Sequence, residues 1–366
     1  MYIVHVDRQR SFTGQTLRVR FVARTLQERG QRVTVVAHAG SDFALGCRDA
    51  GLEVIEAPMR GFALYPSILR VARALRGRGV DAIHCHGGRD QVLAFGVARL
   101  IGIPHVIRTK HNHTPPRGRR SVRAYEACDR IATVSLWVRD LLVEAGVSPD
   151  RIEAIPDAVD LQRFVPRARD PELMRSLGLE PDDVVIGNLS SLHVRKGIED
   201  VLRAYARLRR ERGDPKLKCL LVGKQWEQWQ PLARELRVED GVVFPGHRND
   251  VPEILSLFDV YVLMSRREAL GTSVLEAMAM ERAVVVSDVG GLTESVIPGG
   301  GIRCQPGDLD EICRAVGGLL DDPEQRAAFG RVGRQHVVAN YSDVLLADRS
   351  MALYERVLRK GASPRA

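Results

Sequence analysis

Nowhere in the 366 residues is there a run approaching the ~18 consecutive apolar residues that a membrane span needs. The start, MYIVHVDRQRSF, has neither the order nor the apolar length of a secretory signal. A cytoplasmic location is the expectation. The six cysteines (Cys47, Cys85, Cys128, Cys219, Cys304 and Cys313) are scattered without a C-x-x-C pair. That argues against zinc and disulfide frameworks and predicts reduced, buried thiols. No G-x-G-x-x-G follows the first apolar segment, so a dinucleotide-binding oxidoreductase loses its fingerprint.

What is present fits a large soluble α/β protein. A chain of this length is too long for one ordinary core and implies two domains of roughly 150–200 residues. The net charge of +8 is uneven: residues 1–166 hold 25 Lys and Arg against 16 Asp and Glu, and the remainder 29 against 30. Such an excess fits an anionic substrate, nucleic acid or an acidic membrane surface, or simply solvated faces.

Apolar runs alternate with helically spaced segments along both halves. YIVHV is followed by a loop containing Gly14 and a helix from Leu17 to about Glu28, in which Leu17, Phe21, Val22 and Leu26 share a face. QRVTVVAHA, LEVIEAP, DAIHCH, PHVIRTKH and RIATVS continue the strands, with helices from about Ser67 to Arg76 and Gln91 to Leu100. Residues 156–183, rich in proline and charge, read as a linker. A second series then begins at VVIGNLSSL. Strands alternating with helices predict parallel, doubly wound sheets, and ligands bind such sheets at the carboxyl ends of the strands.

The most informative stretch is SRREALGTSVLEAMAM, residues 265–280, followed by ERAVVVSDVGGLTESV. Ser273 and Glu276 have capping-box spacing, which predicts a helix start near Thr272 or Ser273. Glu268 lies in the loop before it and Glu276 in its first turn, both beside the positive helix end that attracts phosphate. Glu276 then has two compatible readings, capping partner or ligand contact.

These residues resemble retaining glycosyltransferase family 4 of the GT-B fold. The resemblance rests on the Glu268/Glu276 pair, LEAMA, AVVVSD and the glycine loop Gly290, Gly291 and Glu294. RKG at 195–197, LLVG at 220–223, VVFPGHRNDV at 242–251, RTKH ending in His111, TVS at 133–135 and IPDAVDLQRF extend it along the chain. Members acting on lipopolysaccharide and related envelope glycans are the most similar. The resemblance implies two Rossmann-like domains facing a cleft: residues 1–166 for the acceptor, with a C-terminal helix at about 345–366 packing back on it, and 167–344 for the donor.

It also implies a reaction and residues for it. A sugar would pass from a nucleoside diphosphate to a hydroxyl of a glycan or lipid-linked acceptor, with retention and with neither cofactor nor metal. Nucleic acid is not an expected partner, whereas an anionic inner membrane face is. Lys196, Glu268 and His111 would be catalytic. Glu268 would contact donor-sugar hydroxyls and Glu276 the ribose, with Arg195, Ser191, Gly271, Thr272, Ser273, Gly290 and Gly291 around the donor. Phe244, Gly246, His247 and Arg248 would lie by the base, and Gly14 and His86 on the acceptor side. Ser191 stands where the family has Arg, and Ala269 where Gly is usual. Two other readings stay open at this level: a nucleotide-sugar 2-epimerase of the same fold, and a non-catalytic nucleotide-sugar-binding partner.

Overall fold

The computed structural model describes residues 1–11 and 13–361. Two compact units form, one from Met1–Ala158 together with the chain from Val344 onward, the other from Val159–Asp343.

In the first unit, seven strands alternate with helices. In chain order they are β1 (Tyr2–Asp7), α1 (Gly14–Glu28), β2 (Arg32–His38), α2 (Asp42–Asp49), β3 (Glu53–Ala57), α3 (Leu64–Leu75), β4 (Ala82–Cys85), α4 (Gly88–Ile101), β5 (His105–Lys110), α5 (Gly118–Glu126), β6 (Arg130–Thr133), α6 (Leu136–Glu144) and β7 (Ile152–Ala154). All pairings are parallel, in the order β3-β2-β1-β4-β5-β6-β7. The order reverses between β1 and β4, the switch point where open α/β sheets place ligands. Side chains alternate across the sheet. Val4 and Val6 of β1 join a core with Val71, Leu93 and Leu142 on one face, while Ile3 joins Val19, Phe43, Leu353 and Tyr354 on the other.

In the second unit the elements are α7 (Pro171–Ser176), β8 (Val184–Leu189), α8 (Ile198–Arg212), β9 (Leu217–Val222), α9 (Gln230–Glu235), β10 (Val242–Gly246), α10 (Val251–Ser256), β11 (Val260–Leu263), α11 (Thr272–Ala279), β12 (Ala283–Ser287), α12 (Leu292–Ser295), β13 (Ile302–Cys304), α13 (Leu309–Asp321) and α14 (Pro323–Asn340). Six parallel strands run β10-β9-β8-β11-β12-β13. The last helix, α15 (Asp343–Gly361), returns Leu346, Leu353, Tyr354 and Val357 to the core of the first unit.

Three sequence expectations shift. The segment 156–183 is not a free linker: Val159, Phe164, Met174 and Leu179 are buried in the second core, so the division falls after Ala158 rather than at 166. Helix α1 starts at Gly14 instead of Leu17, because Thr13 caps it and Thr16 returns a bond to the Thr13 amide. Gly14 is therefore in the first helical turn, not in a loop. All six cysteines are free and buried, as their scatter predicts.

Candidate active site

Most of the residues expected around the donor collect at the carboxyl ends of β8, β11 and β12, and glycine is what lets the loops meet. Gly197 has φ of +66°, and a Cβ there would lie 1.8 Å from the carbonyl oxygen of Met264. No side chain fits that position. The approach brings the turn Val194–Lys196 against the loop after β11, where the Arg266 amide donates to the Arg195 carbonyl at 2.8 Å and the Arg266 guanidinium pairs with Asp200 at 3.0 Å. Lys196 consequently reaches Glu268, Nζ to Oε2 at 2.5 Å. The Ala269 amide, at 3.2 Å, and the Ser265 hydroxyl, at 3.4 Å, also donate to the Glu268 carboxylate.

Gly290 and Gly291 act by the same means. A Cβ on Gly290 would sit 2.2 Å from the Glu268 carbonyl oxygen, and one on Gly291 2.1 Å from that of Ala269. The Gly291 amide donates to the Glu268 carbonyl at 3.0 Å. That donor holds the Glu268 loop and is already occupied, so the glycine pair positions the acid from behind.

Helix α11 begins at Thr272, as the spacing predicts, but the capping box does not form. Gly271, at φ of +89°, occupies the cap position without a side-chain bond. The Ser273 hydroxyl instead meets the Tyr261 hydroxyl at 2.8 Å, and Tyr261 donates onward to the Leu189 carbonyl at 3.0 Å. Glu276 is thus released from capping. Desolvation pushes its carboxyl up to about 7, with Arg163 opposing the rise. Tyr261, which ties the end of β8 to the start of α11, carried no signal in the sequence beyond an apolar strand.

The remaining donor-side expectations separate. Arg195 and Ser191 are exposed. Phe244 and Gly246 end β10, where Phe244 stacks on Trp226 with centroids 5.9 Å apart. His247 is exposed, and the Arg248 guanidinium is held by both oxygens of Asp250 at 2.8 and 2.5 Å. Trp226 was not expected at the site.

The first unit holds a chain of histidines. His5 and His84 are register neighbours on β1 and β4. The His5 Nδ1 lies 3.0 Å from His86 Nε2, and His86 Nδ1 lies 3.1 Å from His111 Nε2. Tyr354, from α15, places its hydroxyl 2.7 Å from His84 Nδ1 and 3.5 Å from His5 Nε2, while His84 Nε2 lies 2.7 Å from the Thr109 hydroxyl. Burial holds all four imidazoles neutral: His5 falls to about 3 and the others well below their ordinary value, with the Arg18 guanidinium adding to the effect. Arg18 is itself held by Asp157 at 2.5 Å and by the Ile155 carbonyl at 2.8 Å.

His86, expected on the acceptor side, is buried, with both ring nitrogens engaged by His5 and His111. His5, His84 and His86 bring one nitrogen each within 4.8 Å of one another, a spacing a metal could bridge, yet all six of their nitrogens already have partners in the chain. Two further buried groups escaped the sequence reading. Asp90, in the first turn of α4 and 3.8 Å from Arg8, is raised to about 8 by burial and by Asp7. Lys110 donates to Asn112 and to the Thr114 carbonyl, and burial lowers it to about 8.

Two family models match the chain, one described as Glycosyltransferase Family 4 over residues 12–163 and one described as Glycosyl transferases group 1 over residues 169–336. A GDP-mannose-dependent monoacylated alpha-(1-6)-phosphatidylinositol monomannoside mannosyltransferase of Corynebacterium glutamicum is 28% identical over 296 residues, covering 76% of this chain and 77% of that protein. Among solved structures, a glycosyltransferase from Rickettsia africae matches with TM-score 0.87 at 17% identity over 98% of each chain. Anabaena HepE in complex with UDP-glucose matches with TM-score 0.85 at 18% identity, over 97% of this chain and 100% of that one. The two structures share the fold of this chain.

Proposed function

Since the chain belongs to glycosyltransferase family 4, an enzyme class that uses nucleotide sugars on the GT-B fold, we propose that it transfers a sugar with retention to a hydroxyl of a lipid-linked envelope glycan. The observation that carries the reading is the Lys196–Glu268 pair beside the uncapped start of α11. Lys196 has three donors, so it can keep Glu268 while offering the rest to a diphosphate. Preorganised positive charge at a departing phosphate supplies a large share of catalysis in such reactions. Glu268 accepts from sugar hydroxyls, and Glu276 from the ribose.

In the proposed step the bond from the anomeric carbon to the diphosphate breaks while the acceptor oxygen bonds to the same face. The acceptor's proton goes to the departing phosphate oxygen. Lys196 and the α11 amides meet the charge a metal would otherwise meet, and the check is an unchanged rate in excess chelator. A sugar trapped covalently on Glu268 during turnover overturns the single-step course.

The mannosyltransferase relative makes GDP-mannose the first donor to test. Thermal shifts with GDP-, UDP- and ADP-sugars, followed by transfer to lipid-linked acceptors, decide it. Nucleotide binding without transfer to any acceptor overturns the reading.

A membrane surface supports the acceptor class. Phe62 is 92% exposed, and Tyr65 and Leu69 follow it along one side of α3 among the exposed Arg60, Arg70, Arg73 and Arg76. Apolar anchors ringed by arginine suit the interface of an anionic bilayer. No helix among the described residues is long and apolar enough to cross one. Vesicle sedimentation should rise with anionic lipid and fall with salt; a salt-insensitive absence of binding overturns it.

A further inference from the structure

The histidine chain ends on an atom with nothing to bind. His111 Nδ1 is buried and has no hydrogen-bond partner, although His111 Nε2 is engaged by His86. His111 immediately follows β5, at the carboxyl edge of the sheet where parallel α/β folds place ligands. A buried polar nitrogen without a partner is costly, so its occupant is expected to be a ligand.

The network decides what that nitrogen is. A neutral imidazole has one donor and one acceptor, so each ring imposes its tautomer on the next. Two self-consistent directions exist, and Tyr354 chooses between them because its hydroxyl has a single proton. The hydroxyl is 2.7 Å from His84 Nδ1 but 3.5 Å from His5 Nε2. At 2.7 Å His84 Nδ1 is within the reach of an O–H donor, whereas 3.5 Å to His5 Nε2 lies beyond it. Tyr354 therefore donates to His84, and His84 Nε2 donates to Thr109. His5 Nε2 donates to Tyr354, which leaves His5 Nδ1 as an acceptor. His86 Nε2 donates to it, and His111 Nε2 donates to His86 Nδ1. The end of the chain is a bare lone pair on His111 Nδ1.

We propose that Tyr354, His5 and His86 form a positioning relay that locks His111 in its Nε2–H tautomer, so that Nδ1 accepts a hydrogen bond from a sugar hydroxyl in the reacting complex. The proposal rests on the reading of His111 as a site residue. Tyr354, His5 and His86 do not touch substrate; they act through His111. The charged and titratable groups around the chain are Arg18 with Asp157, Lys110 and the ring of His84, and none of them bonds to His111 Nδ1.

The test uses the full chain labelled with 15N-histidine, with the His111 signals assigned by their loss in His111→Asn. Two-bond 1H–15N spectra of the unliganded protein should show His111 protonated at Nε2 and bare at Nδ1. In Tyr354→Phe the second tautomer should become visible, with kcat down about tenfold and KM for the donor within about twofold. His86→Asn keeps an acceptor toward His111 and should retain kcat to within about threefold, while His86→Leu loses about tenfold or more.

A mixed or Nδ1–H tautomer of His111 in the wild-type protein overturns the relay without reference to activity. So does a stoichiometric metal ion bound at His5, His84 and His86 in the protein as isolated. A locked tautomer with unchanged turnover in both Tyr354→Phe and His111→Asn overturns instead the reading of His111 on which the proposal rests.

Discussion

The two units solve similar structural problems with opposite chemistry. Each is a parallel sheet whose candidate-site residues lie on its central strands or in the loops that follow them. In the second unit those residues are charged, and Lys196 meets Glu268 because Gly197, Gly290 and Gly291 let three loops close on each other. In the first unit they are neutral, and His5, His86 and His111 are aligned by hydrogen bonds anchored on a distant helix. The contrast teaches where each kind of group can be kept. A half-buried ion pair is supported by solvent and by its partner, whereas a fully buried imidazole gives up its charge, keeps a single N–H and offers only directionality.

The largest expected effect breaks the charged side. On the proposed role of Lys196 at the departing phosphate, Lys196→Ala should lower kcat by about 10²–10³-fold, equivalent to ~2.7–4 kcal/mol. Steady-state kinetics with the identified donor checks it, and near-normal turnover would remove Lys196 from the site. Glu268→Gln keeps the shape and loses the charge, and a drop of tenfold or more, ~1.4 kcal/mol, is expected.

Next comes the scaffold of that side. Gly197→Ala forces a side chain into a φ of +66° and into the Met264 carbonyl. A loss of about 3 kcal/mol in denaturant unfolding is expected, whereas Gly318→Ala, on a helix with open space at its Cβ, should be neutral or stabilising. Equal effects at the two glycines would show that the close approach is not what holds the loops.

The smallest effect sharpens the comparison through pH. Glu276 titrates at about 7 in the folded protein against an ordinary 4.5. A raised folded value means its contribution is fully present below pH 4.5 and is lost as pH rises through about 7. Thermal unfolding of Glu276→Gln should therefore gain on the wild type across that interval and hold its advantage above it. A difference independent of pH would place the carboxyl in water.

Much of the candidate site in the second unit was legible because its signals are local. Glycine in RKG and GG-x-x-E, the Glu268 loop and the start of α11 are all specified within a few residues, and the structure sets them side by side. The capping-box expectation failed for an equally physical reason: Gly271 adopts a left-handed conformation and Tyr261, twelve residues earlier, takes the Ser273 hydroxyl. Spacing cannot report a competitor from another strand. The linker expectation failed similarly, since proline and charge in 156–183 conceal four buried apolar side chains that only the second core reveals.

The histidine chain marks the limit most clearly. His84, His86 and His111 stand out in the sequence, but His5 sits inside an apolar strand and Tyr354 lies 349 residues from it. Periodicity, composition and glycine placement determined by themselves that this chain forms two parallel α/β sheets and places an acid pair near a phosphate-seeking helix end. Which rings bond, in which direction, and which nitrogen is left over were decided only by tertiary structure. Strand register and the return of α15 bring together atoms that no local pattern relates, and hydrogen bonds act only over about 3 Å.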